Sequence, residues 1–164
     1  MRVMGVDPGI STTGFGVISD SEGRLSALSF GGIKTSSNLP LQTRLKRIYD
    51  ELSGLIKAYS PDVMVVEELF FNRNVTSAFT VGMARGVALL AAEMSGLPVS
   101  SYTPLQVKQA VVGYGRATKW QVQRMVKVLL GLKELPPPDA ADALALAICH
   151  INSHKLAQLL PAPT

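Results

Sequence analysis

The sequence predicts an α/β domain built on a mixed sheet with helices on both faces. Three observations carry this reading. The hydrophobic patterns run in the order three strands, helix, strand, helix, strand, helices, which combines a meander with crossover connections. The stretch "DVMVVEELF" is an unbroken apolar run ending in acids, the signature of a strand covered on both faces. Hydrophobic residues make up 47% of the chain and charged residues 17%, a balance that supports a buried core rather than disorder.

Each element has its own signal. Residues 1–7, "MRVMGVD", form a short apolar strand ending in an acid. Residues 14–19 and 25–33 read as two more strands, with Gly23 marking the turn between them in an antiparallel meander. In "LPLQTRLKRIYDELSGLIKAYS", Leu41, Leu45, Ile48, Leu52 and Leu55 recur at helical spacing. "DVMVVEELF" is the fourth strand. "TSAFTVGMARGVALLAAEMSG" is a helix closed by Gly96 at a C′-like position, and "PVSSYT" is the fifth strand. "PLQVKQAVV" is a short helix ended by the loop "GYGRA". Thr118 and Gln121 have capping-box spacing at the start of "KWQVQRMVKVLLGL". A last helix starts at Asp139, where three preceding prolines help it begin cleanly and Asp139 suits the N-cap.

With 164 residues, the chain is expected to form one domain over 1–155 and a short tail over 156–164. No apolar run approaches the roughly 20 residues of a membrane span. The N-terminus reaches a Pro-Gly too early for a signal peptide. The single cysteine, Cys149, reads as a small core residue. A cytoplasmic protein is the expectation. The net charge of +4 and the pI of about 9.4 suit a polyanionic partner without requiring one.

Two strands end in acids: Asp7 after "VMGV", and Glu67 and Glu68 after "VMVV". In open α/β sheets, sites form at the carboxyl ends of strands. Carboxylates beside a dry sheet repel one another unless a cation pairs with them, and hard cations such as Mg²⁺ or Mn²⁺ take carboxylate oxygens. Alternation alone does not choose between Glu67 and Glu68. Asp139 and Asp142 stand three apart on a helix and so share one face. Ala140, Ala141, Ala143, Ala145 and Ala147 would let that helix approach a sheet closely. A helix laid across strands one and four would bring four carboxylates together, enough for two Mg²⁺ ions about 3.5–4 Å apart, an arrangement suited to phosphodiester cleavage. His150 lies about 16 Å along the helix from Asp139, and no Cys/His cluster suggests zinc. Lys108 and Lys119 flank "GYGRA", which itself holds Arg116; by default they are solvated helix lysines, but a lysine beside such a basic loop could bind a scissile phosphate. Phe70 stands just before the polar "NRN", a loop-tip pattern where an aromatic could stack on an unpaired base, and Arg73 within it could contact phosphate. Arg85 lies within a helix at the core edge and is left outside the site.

Five segments, "GVDPGISTTGFGVI", "VVEELFFNRN", "ARGVALLAA", "QVKQAVVGYGRATKWQVQ" and "DAADALALA", occur in register from the first strand to about residue 150. Together they resemble the RuvC family of Holliday-junction resolvases. The resemblance implies a ribonuclease-H-like fold, a homodimer, four-way junction DNA as substrate, symmetric nicking with Mg²⁺ (two ions per site, Mn²⁺ as an alternative), a role in homologous recombination and DNA repair, and the RuvA–RuvB branch-migration complex as partner. It places the acidic ligands on Asp7, Glu67, Asp139 and Asp142, so it selects Glu67 over Glu68. The catalytic lysines fall on Lys108 and Lys119, and the base-stacking aromatic on Phe70. Two features depart from the family pattern: the chain lacks a basic C-terminal extension, and Glu68 occupies a position expected to hold an amide.

Two other functions compete. One is an actin-like or sugar-kinase-like ATPase lobe, since "GVDPGISTTGFGVI" resembles the first phosphate loop of that superfamily. Its two lobes need well over 164 residues. The other is a non-catalytic junction-binding protein. The full acidic set argues against it, because such carboxylates repel DNA phosphates when no metal is bound.

Overall fold

The computed structural model describes residues 1–68 and 75–159. One five-stranded sheet, in the order β3-β2-β1-β4-β5, forms the middle layer. It comprises β1 (Arg2–Asp7), β2 (Thr12–Ser21), β3 (Arg24–Lys34), β4 (Val63–Glu67) and β5 (Val99–Tyr102). β1, β2 and β3 pair antiparallel, while β4 runs parallel to both β1 and β5. The expected mixed sheet is therefore present. β2 and β3 extend past their expected ends because the hairpin turn is tight. Glu22 and Gly23 both have positive φ, 52° and 86°, and Ser21 pairs directly with Arg24, as in a two-residue primed turn.

Side-chain alternation along the strands builds two cores. Met4, Val6, Val17, Met64 and Val66 face α1 (Leu41–Tyr59) and α2 (Val75–Met94), and pack with Ile48, Leu52 and Ala88. Val3, Ile18, Val63 and Val65 face α3 (Pro104–Val112), α4 (Lys119–Leu129) and α5 (Pro138–Leu159). Cys149 is buried in this second core, as expected. α5 carries on past the expected boundary at residue 156.

The short helices begin where the sequence signals it. Thr118 and Gln121 form the expected capping box, and Thr103 and Gln106 form a second one of the same pattern at the start of α3. α4 ends at Leu129, earlier than its apolar stripe suggests, and Gly131 follows with φ 60°.

The start of α5 differs from expectation. Pro138 is its first residue and Asp139 its second, so Asp139 is not the N-cap. The N–H of Ala141 closes the first turn onto the Pro137 carbonyl at 2.8 Å. Proline suits the first helical position because its missing N–H would have no helical acceptor. Asp139 still lies at the positive end of the helix dipole.

The path of α5 also differs. It lies chiefly over β1 and β2, and touches β4 more lightly. The reason is in the sheet. A Cβ on Gly5 would sit 1.8 Å from the Ala143 carbonyl oxygen, one on Gly14 would sit 2.1 Å from that of Asp139, and one on Gly16 would sit 2.6 Å from Leu144 Cδ2. Gly5 and Gly16 are directly paired, and Gly14 pairs with Asp7. Glycines in two strands meet the helix at Asp139, Ala143 and Leu144, and the two backbones come together. At the far end of the sheet, Tyr102 Oη and His150 Nδ1 lie 3.0 Å apart and join β5 to α5.

Candidate active site

Asp7 is the last residue of β1 and Glu67 the last of β4. Val6 pairs with Val66, so the next residues, Asp7 and Glu67, lie side by side and point to the same face, that of α5. Glu68 therefore points the other way, and its side chain is exposed. The turn after Asp7 is stitched by a neighbour: the buried Thr13 hydroxyl donates to the Gly9 carbonyl at 2.7 Å.

Asp7, Glu67, Asp142, Lys108 and Lys119 line one cleft of about 300 Å³, floored by Val107, Val122 and Ala145. Three elements bring the carboxylates: two strand ends and the second turn of α5. α3 and α4 bring the lysines. Lys119 Nζ stands 3.5 Å from Asp142 Oδ2, with its own side chain 87% exposed, so the pair is a weak tie. Asp139 is exposed on the rim and does not line the cleft. Arg116 is exposed in the loop between α3 and α4. Phe70 and Arg73 fall outside the described residues.

The electrostatics set this cleft apart. Burial pushes the Asp7 carboxyl up to about 7, and the charges of Asp142, Glu67 and Asp139 push the same way against Lys119. Glu67 is raised by burial and by Asp142, with Lys119 and Lys108 opposing. Asp142 is raised by burial, and Lys119 opposes that through its charge and a hydrogen bond. Three half-buried acids with raised proton affinity in one cleft form a site short of positive charge. Hard carboxylate oxygens and uncompensated negative charge suit a divalent cation of the Mg²⁺ kind. Among the described residues, no three acidic, histidine or cysteine side chains are gathered closely enough, as placed, to hold one ion. Lys119 is the cation that opposes all three shifts.

Residues 3–150 match the family model described as crossover junction endodeoxyribonuclease RuvC. The chain belongs to the RuvC family. It is 53% identical to the Syntrophomonas wolfei crossover junction endodeoxyribonuclease RuvC over 98% of this chain and 94% of that one. The Brevibacillus brevis protein of the same name is 56% identical over 92% and 91%. A structure of Thermus thermophilus RuvC in complex with Holliday junction substrate superposes with a TM-score of 0.91 at 40% identity, covering 96% of each chain. The yeast mitochondrial Holliday junction resolvase, 14% identical with a TM-score of 0.67, shares the fold. The fold is thus that of the ribonuclease-H-like resolvases. A match across nearly the whole chain decides for the nuclease family over the ATPase lobe. Family membership carries dependence on a divalent metal in general.

Sequence reasoning missed two features. One is the glycine half of the helix–sheet contact. Its signal was present in "VMGVD" and "TTGFGV", where glycines interrupt strand patterns. The other is Trp120, the single tryptophan, 55% exposed beside the cleft, with the Arg124 guanidinium 5.7 Å from its ring centroid. No helix among the described residues is long and apolar enough to cross a membrane.

Proposed function

We propose that this chain is a structure-selective endonuclease that resolves four-way DNA junctions by paired, symmetric nicks during recombination and repair. The observation that carries the reading is the cleft, where Asp7, Glu67 and Asp142 meet Lys108 and Lys119. Asp7, Glu67, Asp142 and the rim residue Asp139 would hold two Mg²⁺ ions, with Mn²⁺ as a substitute. When bound, the ions supply Lewis-acid chemistry: a polarised phosphodiester oxygen and a water that loses its proton more readily. The chain's own residues do the rest. Lys119 and Lys108 offset the charge that builds on the phosphate oxygens. The buried walls exclude bulk water and strengthen both effects. Arg116 contacts the DNA backbone outside the cleft. Phe70 and Arg73 serve the opened bases and phosphates near the junction centre.

The substrate has two-fold symmetry, and a homodimer matches it. α2 supports this reading with an exposed apolar stripe: Phe79 is 66% exposed, Leu90 53% and Met94 69%. The RuvA–RuvB branch-migration complex is the larger partner in this scheme. The test is nicking of labelled four-way junctions in Mg²⁺, set against binding in Ca²⁺. Matched nicks on opposed strands support the proposal. Binding in both ions with product in neither overturns it in favour of a non-catalytic junction binder.

A further inference from the structure

Arg85 sits within α2, on the face of the sheet opposite the cleft. Its Nε donates to the main-chain carbonyl of Glu67 at 3.3 Å, and its Nη2 donates to Ser101 Oγ at 3.2 Å. The register explains why that carbonyl needs a donor. Successive peptide groups of a strand point to opposite sides. The N–H of Glu68 donates to Tyr102 of β5 at 2.9 Å, so the peptide groups of Glu67 point toward β1. There the pairing ends at Val6 with Val66. The next donor the ladder would use belongs to residue 8, and Pro8 has no N–H. Arg85 supplies the missing hydrogen. Its second anchor, Ser101, pairs with Val66 and so faces α2 as Val66 does. One guanidinium thus joins the ends of β4 and β5 where Glu67 leaves the sheet.

We infer that Arg85 is a positioning residue for Glu67. It fixes the backbone from which the Glu67 carboxylate projects into the cleft on the far face. It reaches no substrate and acts only through that carbonyl. A planar fork with several fixed donors can serve a carbonyl and a hydroxyl at once, which the ammonium of lysine does poorly. The consequence for the reaction rests on the nuclease reading, and the consequence for cation binding rests only on Glu67 being one of the ligands proposed above.

The test uses Arg85→Lys and Ser101→Ala in the full chain, with three measurements. These are the melting temperature in chelator, Mn²⁺ affinity without DNA by calorimetry, and kcat and KM for junction nicking. Arg85→Lys is expected to weaken Mn²⁺ binding about tenfold, the scale of losing an outer support of a metal ligand. kcat should fall by a similar factor while KM for the junction stays the same. Ser101→Ala, which removes only the second anchor, should move the same quantities in the same direction by less. Wild-type Mn²⁺ affinity in both variants overturns the inference, as does a lowered melting temperature with affinity per folded molecule unchanged. If Arg85→Lys does not fold, Ser101→Ala decides alone. A wild-type protein that binds Mn²⁺ but never nicks would defeat the nuclease reading, while a weakened Mn²⁺ affinity in Arg85→Lys would still uphold the role of Arg85.

Discussion

The two faces of this sheet are built from alternate residues of the same strands, yet they are packed by different rules. On the α1–α2 face, Met4, Met64, Ile48 and Leu52 fill the space between layers with large side chains. On the α5 face, Gly5, Gly14 and Gly16 carry no side chain, and the backbone of a helix rests on them. The first arrangement gives the greater apolar burial per residue and is an ordinary source of stability. The second gives up that burial to bring Asp142 on the helix to Asp7 and Glu67 on the strands. The difference teaches that the α5 face does two jobs: Ile18, Val65 and Leu144 still build a core there, while the glycines let the helix come close enough to bring the acids together.

The contrast can be tested from both sides. The largest expected effect is Asp7→Asn, which should slow junction nicking by about a thousandfold or more, since it removes the most buried acid of a cooperating set. Single-turnover rates on labelled junctions would measure it, and a near-wild-type rate would remove Asp7 from the mechanism. Next, Gly5→Ala on the α5 face should destabilise by about 3 kcal/mol or more, because the new methyl overlaps backbone rather than a movable side chain. Ile48→Ala on the other face should destabilise by about 2–5 kcal/mol through its cavity. Denaturant unfolding would show both losses. The faces part in the assay of folded protein: Ile48→Ala should nick normally, and Gly5→Ala should not.

A pH effect belongs to the α5 face alone. Asp7 binds its proton more tightly in the folded chain, at about 7 against 3.8 when unperturbed. Between those values the folded state holds more protons than the unfolded state, so metal-free stability falls as pH rises through that window. Glu67 and Asp142 shift in the same direction. A divalent cation replaces those protons. Mg²⁺ or Mn²⁺ should therefore raise the melting temperature little near pH 5 and more near pH 8, as differential scanning fluorimetry would read. An equal rise at both would show that the cation binds elsewhere. The smallest effect is expected outside the cleft. Trp120→Ala should weaken junction binding in Ca²⁺ by about 1–2 kcal/mol, the lower part of the range for loss of one stacking platform. The nicking rate at saturating junction should stay unchanged.

Most of the fold was legible because its signals are local. The apolar run of β4, the stripe of α1, Gly23 at the hairpin and the Thr118 capping box each sit within a few residues of what they specify. Asp7, Glu67 and Asp142 stood out as acids at strand ends and on an alanine-rich helix, and the family resemblance singled them out as members of one set. Apart from Trp120, what failed to show was non-local. Arg85 reads as an ordinary helix residue until the register places a proline where the Glu67 carbonyl needs a donor. The course of α5 over β1 and β2 depended on glycines more than a hundred residues away from it.

By itself, the sequence determined the element order, the two-sided sheet and the stock of hard oxygen ligands, because periodicity and residue chemistry act at short range. Tertiary structure alone decided that Asp7, Glu67 and Asp142 share a cleft while Asp139 stays on the rim, and that α5 lies chiefly over β1 and β2. Those outcomes rest on strand register and on how closely a helix can approach a sheet. Both are set by contacts between distant parts of the chain.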